Sequence, residues 1–257
     1  MVRPTSITLG ILALLLSSST QARTLAEIRS SGTLKLMTEG AYKPFNYFEG
    51  KTLTGFDVEL GTALAQKMNL KYEWKSAGFD SLLISLGQDR FDLVIASHTI
   101  TDERARSVDF VNYYCTNGVW VVKQGGEKVK ANLKNKTIAA QVGTTNLEFL
   151  PKVIPGLPAG NVRSYPKDTD ALQSLIAGRV DAWSTDEFVA LDAIKSTTAA
   201  KLELGGTLYL QRNGMAVKKG NSTLLAAVNT ALSSLYTDGT YAKLSQKYFG
   251  KDIRCPK

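Results

Sequence analysis

The residues with the most evident chemistry lie between Asp92 and Phe110, DLVIASHTITDERARSVDF. The apolar run Leu93-Val94-Ile95 reads as a buried strand ending at Ala96, and a short polar loop, Ser97-His98-Thr99, follows it. Thr101, with Asp102 and Glu103 behind it, has the pattern of a helix N-cap with acids in the first turn, and Arg104 sits on that turn. Hydroxyls, free backbone N–H groups and one guanidinium therefore gather where a strand hands over to a helix. Such a set suits a carboxylate, because fixed dipoles and a two-pronged cation match its two oxygens. A solvent-facing arginine on a helix is the plain alternative for Arg104. Reactive machinery is not evident. His98 is the single histidine and the two cysteines lie far apart, which leaves little from which to build a nucleophile triad or a metal site. No phosphate-binding glycine loop stands out either. We expect no catalytic residues, no metal and no cofactor.

These groups need a scaffold, and the flanking pattern supplies one. Thr33–Thr38 reads as a strand, Thr54-Gly55 opens a helix with Phe56, Leu60, Leu64 and Met68 on one face, and Leu70–Trp74 is the next strand. Phe79–Leu86 is a short helix before the strand that carries the polar loop. Strand, helix, strand, helix, strand implies a parallel sheet with crossover helices. A strand at Val119–Val122 and a lysine-rich segment follow, and then a second series begins. Its strands are expected at Thr137–Gln141, Asn161–Tyr165 and Val180–Trp183. Its helices are expected after Val142–Asn146, at Asp168 as a cap, and from Thr185-Asp186-Glu187. A third part, with a strand at Gly214–Val217, an amphipathic helix from Leu224 to Leu235 and a last helix from Tyr241 to Phe249, is too short to fold alone. We expect it to pack on the first unit. That makes two α/β lobes, 24–116 with 214–257 and 120–210, crossed by two connections near Thr116-Asn117-Gly118 and Gln211-Arg212-Asn213. Strand ends would then face a shared cleft, where small ligands bind.

Composition narrows the setting. Arg3, the apolar stretch Ile7–Leu16 and the small, polar run Ser17–Ala22 read as a cleavable signal peptide over residues 1–22, with no cysteine after it to carry a lipid anchor. No later stretch is long and apolar enough to span a bilayer. A soluble periplasmic protein is expected. The net charge of +8 comes from scattered lysines without aromatic interleaving, which argues for a solvated face and against nucleic acid. Cys115 and Cys255 form no CxxC. Export permits a disulfide, and a Cys115–Cys255 pair would staple the C-terminal tail back to the chain; two free thiols are the alternative.

Seven short motifs in order carry a resemblance: Tyr42-x-Pro44-Phe45, Gly55-Phe56-Asp57-Val58, Phe79-Asp80-Ser81-Leu82-Leu83, Ile100-Thr101-Asp102-Glu103-Arg104, Val108-Asp109-Phe110, Gly143-Thr144-Thr145 and Asp238-Gly239-Thr240. Each is weak alone. Together they make nearly the whole chain beyond the signal peptide resemble family 3 of the periplasmic solute-binding proteins, which bind polar amino acids for ABC importers. The resemblance implies a type II periplasmic-binding-protein fold, two α/β lobes joined by two hinge strands. It implies that Arg104 grips the ligand α-carboxylate, that Ser97 and Thr99 hold carboxylate and ammonium through loop hydroxyl and carbonyl groups, that the Thr145 N–H reaches the carboxylate, and that Asp186 pairs with the α-ammonium. Tyr42 and Phe79 would sandwich the ligand side chain, and Glu39 and Gln141 would tune its far end. Core packing is the plain alternative for the aromatics, as helix capping is for Asp186. His98 is not explained by the family pattern and reads as a packed residue behind the site.

On this reading the partners are a free polar amino acid, with glutamine, cystine or a basic one favoured, and the membrane permease of an ABC importer; the chain would act as a monomer. Two rivals share the scaffold. One is an exported cyclohexadienyl or arogenate dehydratase, whose loop the segment Gly40–Phe45 also resembles and for which Glu39 would be the candidate acid. The other is a ligand-sensing, receptor-binding protein.

Overall fold

A computed structural model describes residues 23–256, so the signal peptide expected over 1–22 lies outside the described residues. The strands within them are β1 (Thr33–Thr38), β2 (Ala41–Tyr42), β3 (Asn46–Glu49), β4 (Thr52–Thr54), β5 (Lys71–Ser76), β6 (Leu93–Thr99), β7 (Val108–Lys123), β8 (Ile138–Gln141), β9 (Val162–Tyr165), β10 (Ala182–Asp186) and β11 (Leu202–Lys218). Eight of them hydrogen-bond in the order β5-β1-β6-β11-β7-β10-β8-β9, and β2, β3 and β4 form a small separate meander. The strands β5, β1 and β6 are parallel, and so are β10, β8 and β9. β6 is covered on both faces, so all seven of its residues are buried, the apolar run Leu93–Ala96 and the polar end Ser97-His98-Thr99 alike.

The two parallel groups are joined by β7 and β11, an antiparallel pair of 16 and 17 residues. One end of the pair borders β6, through Asn213 against Thr99 and Gly214 against His98. The other borders β10, through Gly118 against Asp186 and Val121 against Trp183. Register shifts at Thr207/Tyr209 and Asn213/Gly214 bend the ladder between the two groups. The short strands read at Val119–Val122 and Gly214–Val217 are the apolar ends of these long ones. Thr116, Asn117, Gln211, Arg212 and Asn213 interrupt the apolar signal at the crossing, yet their backbones stay in the ladder.

The helix Ser222–Thr237 buries Leu224, Val228, Ala231, Leu232 and Leu235 and packs on the helix Phe56–Lys67 and on β7. Each fully buried aliphatic side chain there contributes about 1.5–3 kcal/mol by leaving water. The helix Thr240–Phe249 closes an aromatic cluster in which Phe45 lies 4.8 Å from Tyr114 and Phe56 lies 5.5 Å from Tyr241, ring centre to ring centre. The tail then returns to β7. Cys115 and Cys255 form a disulfide, the Cys115 N–H donates to the Ile253 carbonyl at 3.1 Å, and Ile253 is buried. One capping assignment differs from the sequence reading. Lys167, not Asp168, occupies the N-cap of the helix Asp168–Ile176, because the Asp168 carboxylate turns inward to Trp183.

Candidate functional site

Ser97, His98 and Thr99 are the last residues of β6 rather than a loop beyond it. The polar sequence hides this, because Ser97 adopts a left-handed φ of 54° that turns its peptide toward the crossing strands while the ladder continues. The turn is held from behind by Asp57, a fully buried carboxylate. It accepts from the Tyr113 hydroxyl at 2.8 Å, the Asn46 amide at 2.8 Å and the Ser97 hydroxyl at 3.3 Å. Burial pushes the Asp57 carboxyl up to about 6 despite these donors. Asn46 also accepts from the Gly40 N–H at 2.8 Å, which ties the loop bearing Glu39 to the same anchor.

Thr101 caps the short helix Asp102–Ala105 as expected, accepting from the Arg104 N–H at 3.2 Å. The Arg104 side chain then folds back. One guanidinium nitrogen donates to the Thr99 carbonyl at 2.9 Å, the other to the Gly143 carbonyl at 2.7 Å, and the group lies 5.9 Å from the centre of the Phe79 ring. Phe79 is in turn stacked on His98 with 4.3 Å between ring centres. His98 is buried, its Nδ1 has no partner, and burial followed by the charge of Arg104 holds its pKa well below the usual histidine range. It backs Phe79 as a neutral ring and does not line the cavity.

The second group of strands brings the opposite charge. Asp186 ends β10 directly before the helix Glu187–Ser196 but makes no capping bond to it. Its Oδ1 accepts from the Gln211 amide at 2.7 Å and the Asn146 amide at 2.9 Å, and its Oδ2 accepts from the Tyr114 hydroxyl at 3.4 Å. Burial raises its pKa. Thr145 starts the helix Thr145–Glu148, with Thr144 capping it, and its hydroxyl lies 2.9 Å from that of Thr99 across the cleft. Behind Asp186 the buried Asp168 accepts from the Trp183 indole at 3.0 Å and the Thr185 hydroxyl at 3.1 Å, and burial pushes its carboxyl up to about 8.

Tyr42, Phe79, Ser97, Thr99, Arg104, Gln141, Thr145 and Asp186 all line one cavity of about 260 Å³ between the two strand groups. Glu39 does not line it. It sits one layer out, accepting from the Gln141 amide at 2.5 Å. The same cavity is lined by three residues the sequence reading did not single out, Thr144, Asn146 and Gln211. In sequence Gln211 is part of a connection, and its hydrogen bonds with Thr99, Asn146 and Asp186 cannot be seen in a polar stretch of strand. Asn146 had one signal, its place beside Thr145 at a helix start. A part-buried guanidinium and a buried carboxylate on opposite walls can hold a small zwitterion, cation to carboxylate and anion to ammonium. Among the described residues no group of three His, Cys, Asp or Glu side chains is placed to hold a metal ion.

The sequence model of the bacterial extracellular solute-binding proteins, family 3, matches residues 34–251. An L-cystine-binding protein of Escherichia coli, TcyJ, is 35% identical over 257 residues, covering 95% of each chain. The structure of an ancestral arginine-binding protein bound to arginine superposes with a TM-score of 0.79 at 36% identity, covering 85% of this chain and 99% of that one. The structure of an ancestral amino acid-binding protein, a precursor of cyclohexadienyl dehydratase, superposes with a TM-score of 0.80 at 32% identity, covering 87% and 98%.

Proposed function

From the premise that this chain belongs to family 3 of the bacterial extracellular solute-binding proteins, we propose that it captures a free polar amino acid by closing two lobes on it and hands it to the permease of an ABC importer. The lobes in this reading are residues 24–116 with 214–257 and residues 120–210, moving about the middle of β7 and β11. The observation that carries the proposal is the pairing of Arg104 and Asp186 across one enclosed cavity. Each is a charge in a site poor in water. A ligand that brings a carboxylate to one and an ammonium to the other satisfies both only when the lobes meet, so it favours the closed state by differential affinity. Ser97 and Thr99 hold carboxylate and ammonium, Thr145 assists the carboxylate, Tyr42 and Phe79 flank the side chain, and Gln141 with Glu39 behind it meets its far end. Glutamine, cystine or a basic amino acid fits these far-end groups better than an aliphatic one. The working location is the periplasm, reached through a cleavable signal peptide, and the working form is a monomer.

The dehydratase rival needs a proton donor facing the cavity. Glu39 does not line the cavity and its Oε1 is held by Gln141, which supports binding without turnover. A thermal-shift screen across the amino acids should find one group of ligands that raises the melting temperature in step with ligand excess over Kd. Calorimetry on Arg104→Ala and on Asp186→Ala should then show a loss of ~2–5 kcal/mol in binding, the scale for removing one partner of a buried charge pair. Unchanged affinity in both variants would reject the site, and consumption of prephenate or arogenate would reject the binding-only role.

A further inference from the structure

Beyond the neck formed by Glu39 and Gln141, the cleft opens into an outer groove of about 750 Å³ lined by both strand groups. The first group contributes Glu39, Gly78 and Asp80; the second contributes Val142, Pro166 and Lys167. The groove adjoins the inner cavity through residues that neighbour one another in sequence, with the Glu39–Gln141 hydrogen bond between the two. Phe79 faces the cavity and Asp80 the groove, while Gln141 faces the cavity and Val142 the groove. The two walls also meet closely here. Gly143 has a φ of +74°, and a Cβ on it would come within 3.1 Å of the Asp80 Cβ.

The groove carries one charge of each sign and one unsatisfied acceptor. Lys167 and Asp80 are both exposed, and both are near enough to Glu39 to act on its carboxyl, with Lys167 lowering and Asp80 raising its pKa. Glu39 itself is more than nine-tenths buried, and its Oε2 has no hydrogen-bond partner. On the other side of the neck the buried Gln141 Oε1 also lacks one. A far end made only of a cation would satisfy these acceptors and Asp80 but would meet a like charge in Lys167. A far end with both an ammonium and a carboxylate satisfies all of them.

The geometry points to a second headgroup subsite: the groove between Asp80 and Lys167 takes the far α-ammonium and α-carboxylate of a ligand that carries an amino-acid headgroup at each end, joined by a four-atom link. The ammonium lies toward Glu39 and Asp80, the carboxylate toward Lys167. The link runs through the neck past Phe79. A disulfide-linked pair of amino acids has such a link, with α-carbons about 4.4–6.8 Å apart, and neighbouring residues such as Phe79 and Asp80 are separated by about 3.8 Å of chain. The inference rests on the inner cavity holding the first headgroup, as proposed above.

Three ligands with the same four-carbon chain beyond the first α-carbon separate the possibilities: 2,7-diaminosuberic acid with two headgroups, L-lysine with an ammonium alone at the far end, and L-norleucine with neither. Calorimetry on the purified chain should rank diaminosuberate first and norleucine last. Lys167→Met should weaken diaminosuberate about fivefold, the upper end for a solvent-touched ion pair, and leave lysine unchanged or tighter. Asp80→Asn should weaken both of them and leave norleucine unchanged. Both substituted side chains are exposed, so folding is not at stake, and equal melting temperatures verify this. Lysine binding as tightly as diaminosuberate, or Lys167→Met leaving their ratio unchanged, would overturn the second subsite alone. Arg104→Ala leaving the binding of all three unchanged, or none of the three binding, would instead overturn the inner-site reading and the subsite with it.

Discussion

At the residue scale, the buried Glu39 carboxyl should couple ligand choice to pH. Burial pushes its pKa up to about 7, against the lowering effects of the Gln141 amide and the Lys167 charge, with Asp80 adding a smaller rise. A far-end ammonium needs the ionised form. Affinity for a ligand with such an end should therefore rise as pH passes from about 6 to about 8, and Glu39→Gln should flatten that rise; calorimetry at three pH values checks it. Asp168 acts on stability with a definite sign. Its folded pKa is about 8 against an ordinary 3.8, so between these values the folded chain holds a proton that the unfolded chain releases. Raising the pH across that window therefore disfavours the folded state, and the loss levels off above about 8. Asp57, raised to about 6, and Asp186, also raised, pull the same way. The melting temperature of the unliganded protein should fall from pH 5 to pH 8, and Asp168→Asn should reduce that fall. A melting temperature that climbs across the window would contradict the protonated assignment.

At the scale of elements, the long pair β7 and β11 does two jobs. Its ends complete the two parallel groups, and its middle presents Tyr114 and Gln211 to Asp186. The C-terminal tail braces the middle of that pair through Cys115–Cys255, a bridge between residues 140 apart in sequence, and through the Ile253 carbonyl. Closing so long a loop restricts the unfolded chain, so Cys115→Ser with Cys255→Ser should lower stability by about 2–5 kcal/mol in denaturant titration. Ligand affinity should change little, because neither cysteine lines the cavity. A double variant as stable as the parent would mean that the tail is held by its packing and backbone bonds alone. The helix Phe79–Gly87 is the other shared element: its first residue flanks the inner cavity and its second the outer groove.

At the scale of the whole molecule, the proposed capture step brings two walls together. Arg104 reaches the Gly143 carbonyl, Thr99 meets Thr145, and Gln141 meets Glu39, each contact spanning the cleft. A ligand seated between Arg104 and Asp186 should shift the population toward this closed arrangement. Small-angle scattering should show a smaller radius of gyration at saturating ligand than without it, and Asp186→Ala should abolish the difference. An unchanged radius in the parent protein would reject closure as the capture step.

The linear chain already specified the family, the order of its α/β elements and most of the inner cavity. Those features rest on local signals: apolar runs for buried strands, the Thr101 cap before Arg104, and motifs at fixed spacing. Tertiary structure decided the rest, because the remaining partners are distant in sequence. Gln211 reaches Asp186 only because β11 lies beside β7, and Asp57 supports Ser97 only because a helix start packs behind a strand end. Asp168, which resembles a helix cap in sequence, became a buried acid once Trp183 folded over it. Glu39 was separated from the cavity and turned toward the outer groove by its bond to Gln141, 102 residues away. Spacing along a chain reports period and capping, whereas which buried polar group finds which partner depends on the way the strands and helices pack.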